Sequence, residues 1–502
     1  MQLTNNSLKQ AQTSDTSRWV ALVILCAGML MIVLDSTIVN VTLPSIQDDL
    51  GFSQSSLAWV VNAYLITFGG LLLLAGRLGD LIGRRTIFLT GLALFTVASL
   101  ACGLADSETT LVAARFGQGI GGALTSAVIL GMIVTMFPEP SEQAKAIGVY
   151  AFVASAGGSI GLLAGGAITQ VINWHWIFFV NLPIAAITAA FALRYLERDR
   201  GLGFDKGADL PGAALIVSSL MIGVYTIVEA GNYGWGSLHT LGFGAISIAL
   251  GAGFVARQAT AKTPLMPLGM FRSHNLSGAN VIQSLMVAGM FGMFFLGALY
   301  LQRVLGFDSL EIGLAFLPLT VLLGLFSVGL SARLNLRFGP RATMIPGLVL
   351  IGVGLAALSQ LTVDSSYLAN VLPSMVLIGT GAGLCFPSVM TLAMSSVPPE
   401  EAGLASGVVN TTLQVGGALG LAVLATLASS RTGNAVASGD SAAAALTSGY
   451  RLAFLIAAGL VAGAVAIAVF VLEPLPPREH NPEEAYGPGD DVPEPAFSSE
   501  AL

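Results

Sequence analysis

Residues Gly76–Arg85 read GRLGDLIGRR, and 256 positions further on Ala332–Arg341 read ARLNLRFGPR. In register, four of the ten positions agree: Arg77 with Arg333, Leu78 with Leu334, Gly83 with Gly339 and Arg85 with Arg341. Asp80 stands opposite Leu336, so the second copy lacks the acid. Each stretch is a short basic link between two apolar runs, Leu57–Leu74 and Thr86–Ala105 around the first, Ile312–Ala332 and Ala342–Leu361 around the second. The same link at the same place in two series of runs marks an internal duplication.

Outward from these links the chain is apolar nearly throughout. It is 54% hydrophobic and 10% charged, with a mean hydropathy of +0.80, whereas a soluble domain is about 25% charged. Fourteen apolar runs can be counted from Trp19 to Leu472, and runs of about 20 such residues read as membrane-spanning helices. The first run lacks a small-residue cleavage site and continues into Asp35 and Pro44, so it reads as a span and not as a removable signal. Fourteen spans and one duplication predict an all-α integral membrane protein of two six-helix bundles plus two extra helices. The expected boundaries are a tail over 1–18, the first bundle over 19–197, a central segment with the extra helices over 198–270, the second bundle over 271–472 and an acidic tail over 473–502. Glycines and Glu229 interrupt the pattern of the two extra helices, between Leu210 and Arg257.

Charge sets the expected orientation. If the N-terminus is cytoplasmic, seventeen Lys and Arg fall inside and three, Arg303, Arg431 and Arg451, fall outside; basic residues stay on the cytoplasmic side. Both termini are then cytoplasmic, and the membrane is the cell inner (plasma) membrane. The net charge of −7 comes from the last thirty residues, which hold eight acids and one base. That tail is rich in Pro and acids and reads as disordered. Nothing points to nucleic acid. Cys26, Cys102 and Cys385 lie inside apolar runs without metal-ligand spacing and read as small core residues.

Several motifs point elsewhere on the surface. No lysine follows a Walker A pattern, so any uphill transport must draw on an ion gradient. GQGIGG (Gly117–Gly122) matches a dinucleotide fingerprint but lies inside one apolar run, where small residues serve close helix packing. GGSIG (Gly157–Gly161) matches a nucleophile elbow around Ser159. An intramembrane serine hydrolase would need a base beside it, and His175, His239, His274 and His480 all lie at run ends or outside runs. No cofactor or metal is expected.

Asp35 is the only ionisable residue between Trp19 and Gln47, and Arg115 lies inside the fourth run. Charges within spans are costly and mark functional sites, a structural ion pair being the alternative. At 1.5 Å per residue Asp35 is ~24 Å from the inner edge of its span. Arg115 lies ~22 Å from that edge in a ~30 Å core, so one cavity in the outer half of the first bundle can hold both. Burial favours the neutral acid and a neighbouring guanidinium the anion; between them Asp35 would exchange a proton, and a cationic or polar substrate would compete with it. Gln118, one helical turn from Arg115, Glu229 at the end of the seventh span, and Gln283, Asn410 and Gln414 in the second half complete the candidate substrate cavity with Asp35.

Taken in order, these segments resemble the fourteen-helix drug:proton antiporter branch of the major facilitator superfamily, from about Trp19 to Leu472. The carriers are LDSTIVNVTLPSI (Leu34–Ile46), GRLGDLIGRR, RFGQGIGGA (Arg115–Ala123), WHWIFFVNLP (Trp174–Pro183), DLPG (Asp209–Gly212) and AGLASGVVNTTLQVGGALG (Ala402–Gly420). The resemblance implies a cytoplasmic gate formed by Gly76, Arg77, Asp80, Gly83, Arg84 and Arg85. It links Arg115 to proton transfer, and implies proton-coupled export of lipophilic, cationic drugs or metabolites by a monomer, or export of one dedicated product on the same fold. The fifth-span motif of the branch, Gly-x-x-x-Gly-Pro-x-x-Gly-Gly, is matched by Gly157, Gly161, Gly165 and Gly166 with Leu162 at the proline position, which predicts a straighter helix. His175 and Leu413 replace two further arginines of the branch pattern.

Overall fold

The computed structural model describes residues 2–473 apart from positions 54, 138, 198, 200, 204–206, 396 and 398–401, and gives the backbone alone for residues 2–16 and nine helical positions between 140 and 403. The described residues are almost entirely helical. The acidic tail lies outside them from Pro474 onward. The helices in chain order are α1 (Gln2–Leu50), α2 (Ala58–Ile82), α3 (Arg84–Gly103), α4 (Glu108–Met136), α5 (Pro140–Val171) and α6 (Trp176–Tyr195), then α7 (Leu210–Tyr233) and α8 (Leu238–Thr260). The series closes with α9 (His274–Arg303), α10 (Ser309–Phe338), α11 (Pro340–Leu358), α12 (Tyr367–Met394), α13 (Ala402–Ala437) and α14 (Ala442–Phe470). Thirteen of these are long and apolar enough to cross a membrane, and α5 adds the apolar stretch Ala156–Val171. The fourteen runs and the fourteen helices coincide, including the interrupted pair α7 and α8.

Caps explain where several helices begin. Ser107 and Thr110 form a reciprocal capping box at α4, and Asp308 and Glu311 form another at α10; each satisfies two backbone groups that the first turn leaves without helical partners. Asp209 caps α7 ahead of Pro211, accepting from the Gly212 N–H at 3.0 Å.

In the first half α3 and α2 pack on α4, and α1 packs on α5 and α6; in the second, α9 packs on α13 and α14, and α12 on α10 and α11. The halves meet where α2 faces α13, α5 faces α10 and α1 faces α9. The extra helices form a hairpin fastened by two reciprocal bonds, Ser219 Oγ to the Ser247 carbonyl at 2.8 Å and Ser247 Oγ to the Ser219 carbonyl at 2.7 Å.

The duplication read from the two basic links is visible in the backbone. Gly83 and Gly339 both end a helix with positive φ, +116° and +83°, a conformation that side chains with a Cβ avoid. Arg85 then donates to the Leu193 carbonyl of α6, and Arg341 to the Ala468 and Val469 carbonyls of α14. In each half the same arginine ties the link to the sixth helix of its own bundle.

The helix α5 runs through Leu162 with no proline beyond its first turn. Its glycines serve two faces and not one. A Cβ on Gly157, Gly161 or Gly165 would strike α1, at Leu30, Thr37 and Ile38 respectively, whereas one on Gly166 would strike Ser309 of α10. Gly158 meets nothing within 4 Å. Small residues on two sides let α5 lie close to both halves at once.

Candidate functional site

Asp35 of α1 and Arg115 of α4 form an ion pair, Oδ2 to Nη1 at 2.6 Å, with 0% and 1% of their side chains exposed. The site is built from five helices. Gln118, one turn along α4, accepts from Arg115 Nη1 at 2.8 Å and donates to Asp35 Oδ1 at 2.9 Å and to Ser99 Oγ of α3 at 2.8 Å. Asn181 of α6 donates to Asp35 Oδ1 at 2.9 Å. Arg115 Nε reaches the Val60 carbonyl of α2 at 2.9 Å, and the face of Tyr64 lies 4.5 Å from the guanidinium, a cation–π contact. The carboxylate thus accepts from three donors, one of them charged, and buried charges persist when paired and hydrogen-bonded in this way.

In this structure the partners of Asp35 and Gln118 all belong to the first bundle, and both side chains are fully enclosed. The other candidates are not gathered around them. Glu229 accepts from Asn232 of its own helix at 3.1 Å, Gln283 is buried on α9, and Asn410 is exposed and donates to the Ser406 carbonyl. Gln414 packs on α2 at Gly69, its Oε1 buried without a partner. Ser159 donates to Thr320 Oγ1 of α10 at 3.0 Å, a link between halves with no histidine in it.

The basic link of the first half is clamped by a residue that sequence reading missed. The Asp199 carboxylate accepts from the Arg84 and Arg85 N–H groups at 2.5 and 3.2 Å, capping α3 from the segment after α6. Arg84 bridges Asp80 at 3.2 Å and donates to the Gly131 carbonyl of α4, and Arg77 donates to the Gly207 carbonyl. On the opposite face Arg303 of α9 pairs with Asp48 of α1 across the two halves, beside a cavity of about 340 Å³. Asn181 lay in a motif noted in the sequence, WHWIFFVNLP, but a neutral amide in an apolar run carries no charge signal. Ser99 and Tyr64 gave none either.

The family model described as Major Facilitator Superfamily matches residues 25–421. The chain belongs to that superfamily. It is accordingly a membrane transporter and not an enzyme. Among curated relatives, it is 39% identical to a puromycin resistance protein of Streptomyces alboniger, covering 90% of each chain. It is 36% identical to a cephamycin export protein of Amycolatopsis lactamdurans, covering 92% of this chain and 93% of the relative. It is 37% identical to a tetracenomycin C resistance and export protein of Streptomyces glaucescens, covering 83% and 77%. Among solved structures, a bacterial homologue of the human lysosomal transporter Spinster, in an inward-facing and unoccupied conformation, superposes with a TM-score of 0.65 at 19% identity, covering 91% of this chain and 97% of that one; this likeness speaks for the fold.

Proposed function

We propose that the chain exports small lipophilic molecules in exchange for protons, with Asp35 as the proton-carrying group. The observation that carries this reading is the enclosed cluster of Asp35, Arg115, Gln118 and Asn181. A proton on Asp35 removes its charge and with it the attraction that holds α1 to α4. Arg115 stays anchored through Gln118 and the Val60 carbonyl. The same α1 carries Asp48, which meets Arg303 of the second half, so a change in how α1 packs is felt where the halves touch. Protonation at one place would thereby bias which side the halves open to, the requirement for alternating access.

The export direction draws on the relatives named for resistance and export. Each of those names carries a single compound, which supports a second reading, a dedicated exporter of one product; substrate breadth separates the two. The excess of Lys and Arg on one side supports a reading with both termini in the cytoplasm and the chain in the inner (plasma) membrane, and the presence of two bundles in one chain supports a monomer. The test uses proteoliposomes with an acidic lumen and a trapped pH-sensitive dye. Substrate-dependent alkalinisation is expected from the native protein and not from Asp35→Asn. Equal proton flux in both removes Asp35 from the mechanism.

A further inference from the structure

The distribution of charge through the two bundles speaks to the substrate. The six apolar runs of the second half contain no acid, no base and no histidine. Those of the first half contain Asp35 and Arg115, with Lys145 and Arg194 at run ends. Asp35 and Arg115 neutralise each other at 2.6 Å and expose 0% and 1% of their side chains. Glu229 belongs to the extra hairpin and holds Asn232. Within the runs, a permanent ion passing between the bundles therefore finds one acid and one base already paired with each other, and the remaining charges, Lys145, Arg194 and Glu229, stand toward helix ends. Moving a single charge out of water without a counter-charge costs several kcal/mol after relaxation, whereas a neutral amphiphile leaves only its polar groups to be matched.

Hydrogen-bonding capacity for such a molecule is present where the halves meet. On α2, Asn62, Gly69 and Leu73 share one face at helical spacing. Leu73 packs at Gly407 and Gly69 at Gln414, so this face looks onto α13. Asn62 is 0% exposed with both amide atoms unpaired. About two helical turns further along the seam, beside Gly69, Gln414 Oε1 and Thr411 Oγ1 are buried and unpaired. Buried polar atoms without partners are rare and call for an explanation. Here donors and acceptors alike stand ready along one seam between the halves, and none is ionic.

We infer that this transporter carries its substrate in an electrically neutral form, an apolar body with an amide- or hydroxyl-like group that hydrogen-bonds to Asn62, Thr411 and Gln414 along the α2–α13 seam. This rests on the transport reading above and revises the cationic substrate expected from sequence, which required a carboxylate open to the cavity.

The test is a binding series on one scaffold with purified full-length protein: triphenylacetamide (neutral), methyltriphenylphosphonium (cation) and triphenylacetate (anion), at a pH where the last is ionised. The amide is expected to bind at least about tenfold more tightly than either ion, the scale of one or two hydrogen bonds to a desolvated partner. Gln414→Leu is expected to lose about tenfold for the amide. Gln414→Glu is expected to admit the phosphonium, because it supplies the missing charge. Equal or tighter binding of an ion by the native protein, or no binding of the amide, overturns the inference. So does a Gln414→Leu protein that melts like the native one and binds the amide unchanged. The binding order does not involve the proton gradient, so a failure of proton coupling is told apart from a failure of this inference.

Discussion

Gly119 sits one residue beyond Gln118, where α4 lies against α2. A Cβ there would fall 2.0 Å from Thr67 Oγ1, 2.5 Å from the Tyr64 carbonyl oxygen and 3.1 Å from the Phe68 nitrogen. Two of those atoms are backbone and cannot rotate away. With ordinary contact beginning at 3.4 Å, Gly119→Ala would drive the helices apart by ~0.9 Å, since close-packed interiors hold no slack. The Arg115 Nε bond to the Val60 carbonyl, 2.9 Å in the native protein, would lengthen to ~3.8 Å, outside hydrogen-bonding range. Overpacking costs about 1–3 kcal/mol and a lost bond from a charged donor about 1.5–3 kcal/mol, so the combined destabilisation is about 2.5–6 kcal/mol before relaxation. Purified Gly119→Ala protein should melt well below the native protein and lose substrate-driven proton flux. Adding Thr67→Ala should not rescue it, because the Tyr64 carbonyl remains in place. Melting within about 0.5 kcal/mol of native, or recovery on truncating Thr67, would refute the account.

Three further outcomes are expected. Gly161→Ala also places a Cβ 2.0 Å from a hydroxyl, Thr37 Oγ1, but the next atoms stand at 3.1 Å or more; here Thr37→Ala in the same protein should recover most of the lost thermal stability, the reverse of the Gly119 case. Burial pushes the Asp209 carboxyl upward, but bonds from Arg257, Gln258 and the Gly212 N–H more than offset it and hold the carboxyl below its usual value. Its contribution to the α7–α8 hairpin is therefore complete above about pH 4 and lost as pH falls through the lowered value. Melting temperature should fall more steeply with acid in the native protein than in Asp209→Asn, and parallel curves would count against it. The Asp48–Arg303 bridge is partly exposed, so Arg303→Ala should cost at most about 1 kcal/mol and raise labelling of a cysteine placed at Leu446, which lines the same cavity, by no more than about fivefold; a larger change would mean the halves are held together by this pair alone.

The helices and the duplication were legible because they rest on two strong signals, long hydropathy runs and a basic link with a glycine at a fixed place. The pairing of Asp35 with Arg115 followed from depth, since rise per residue fixes height along a span. Rotation about the helix axis did not follow. A helix that is apolar on every side has no polar face to reveal which way Asp35 turns, so its enclosure by Asn181, Ser99 and Tyr64 could not be read. Asp199 was hidden for a different reason: it acts on the Arg84 and Arg85 N–H groups from more than a hundred residues away, and a loop acid has no local mark of such a role. The two-sided packing of α5 was likewise invisible, because glycine spacing shows that neighbours come close and not how many there are.

The hairpin of α7 and α8 is seated across the join of the two halves. Val217 of α7 fills the space beside Gly70 of α2, while a Cβ on Gly231 would come within 4 Å of Thr426 and Ser430 of α13. The outer helix α8 turns Leu238, Leu241 and Ile248 outward. A molecule dissolved among the acyl chains therefore finds this flank shuttered, and could slip sideways between α2 and α13 only by peeling α7 away. The two flanks of the transporter are therefore unequal toward the bilayer: the hairpin covers the join of α2 with α13 and packs on neither α5 nor α10.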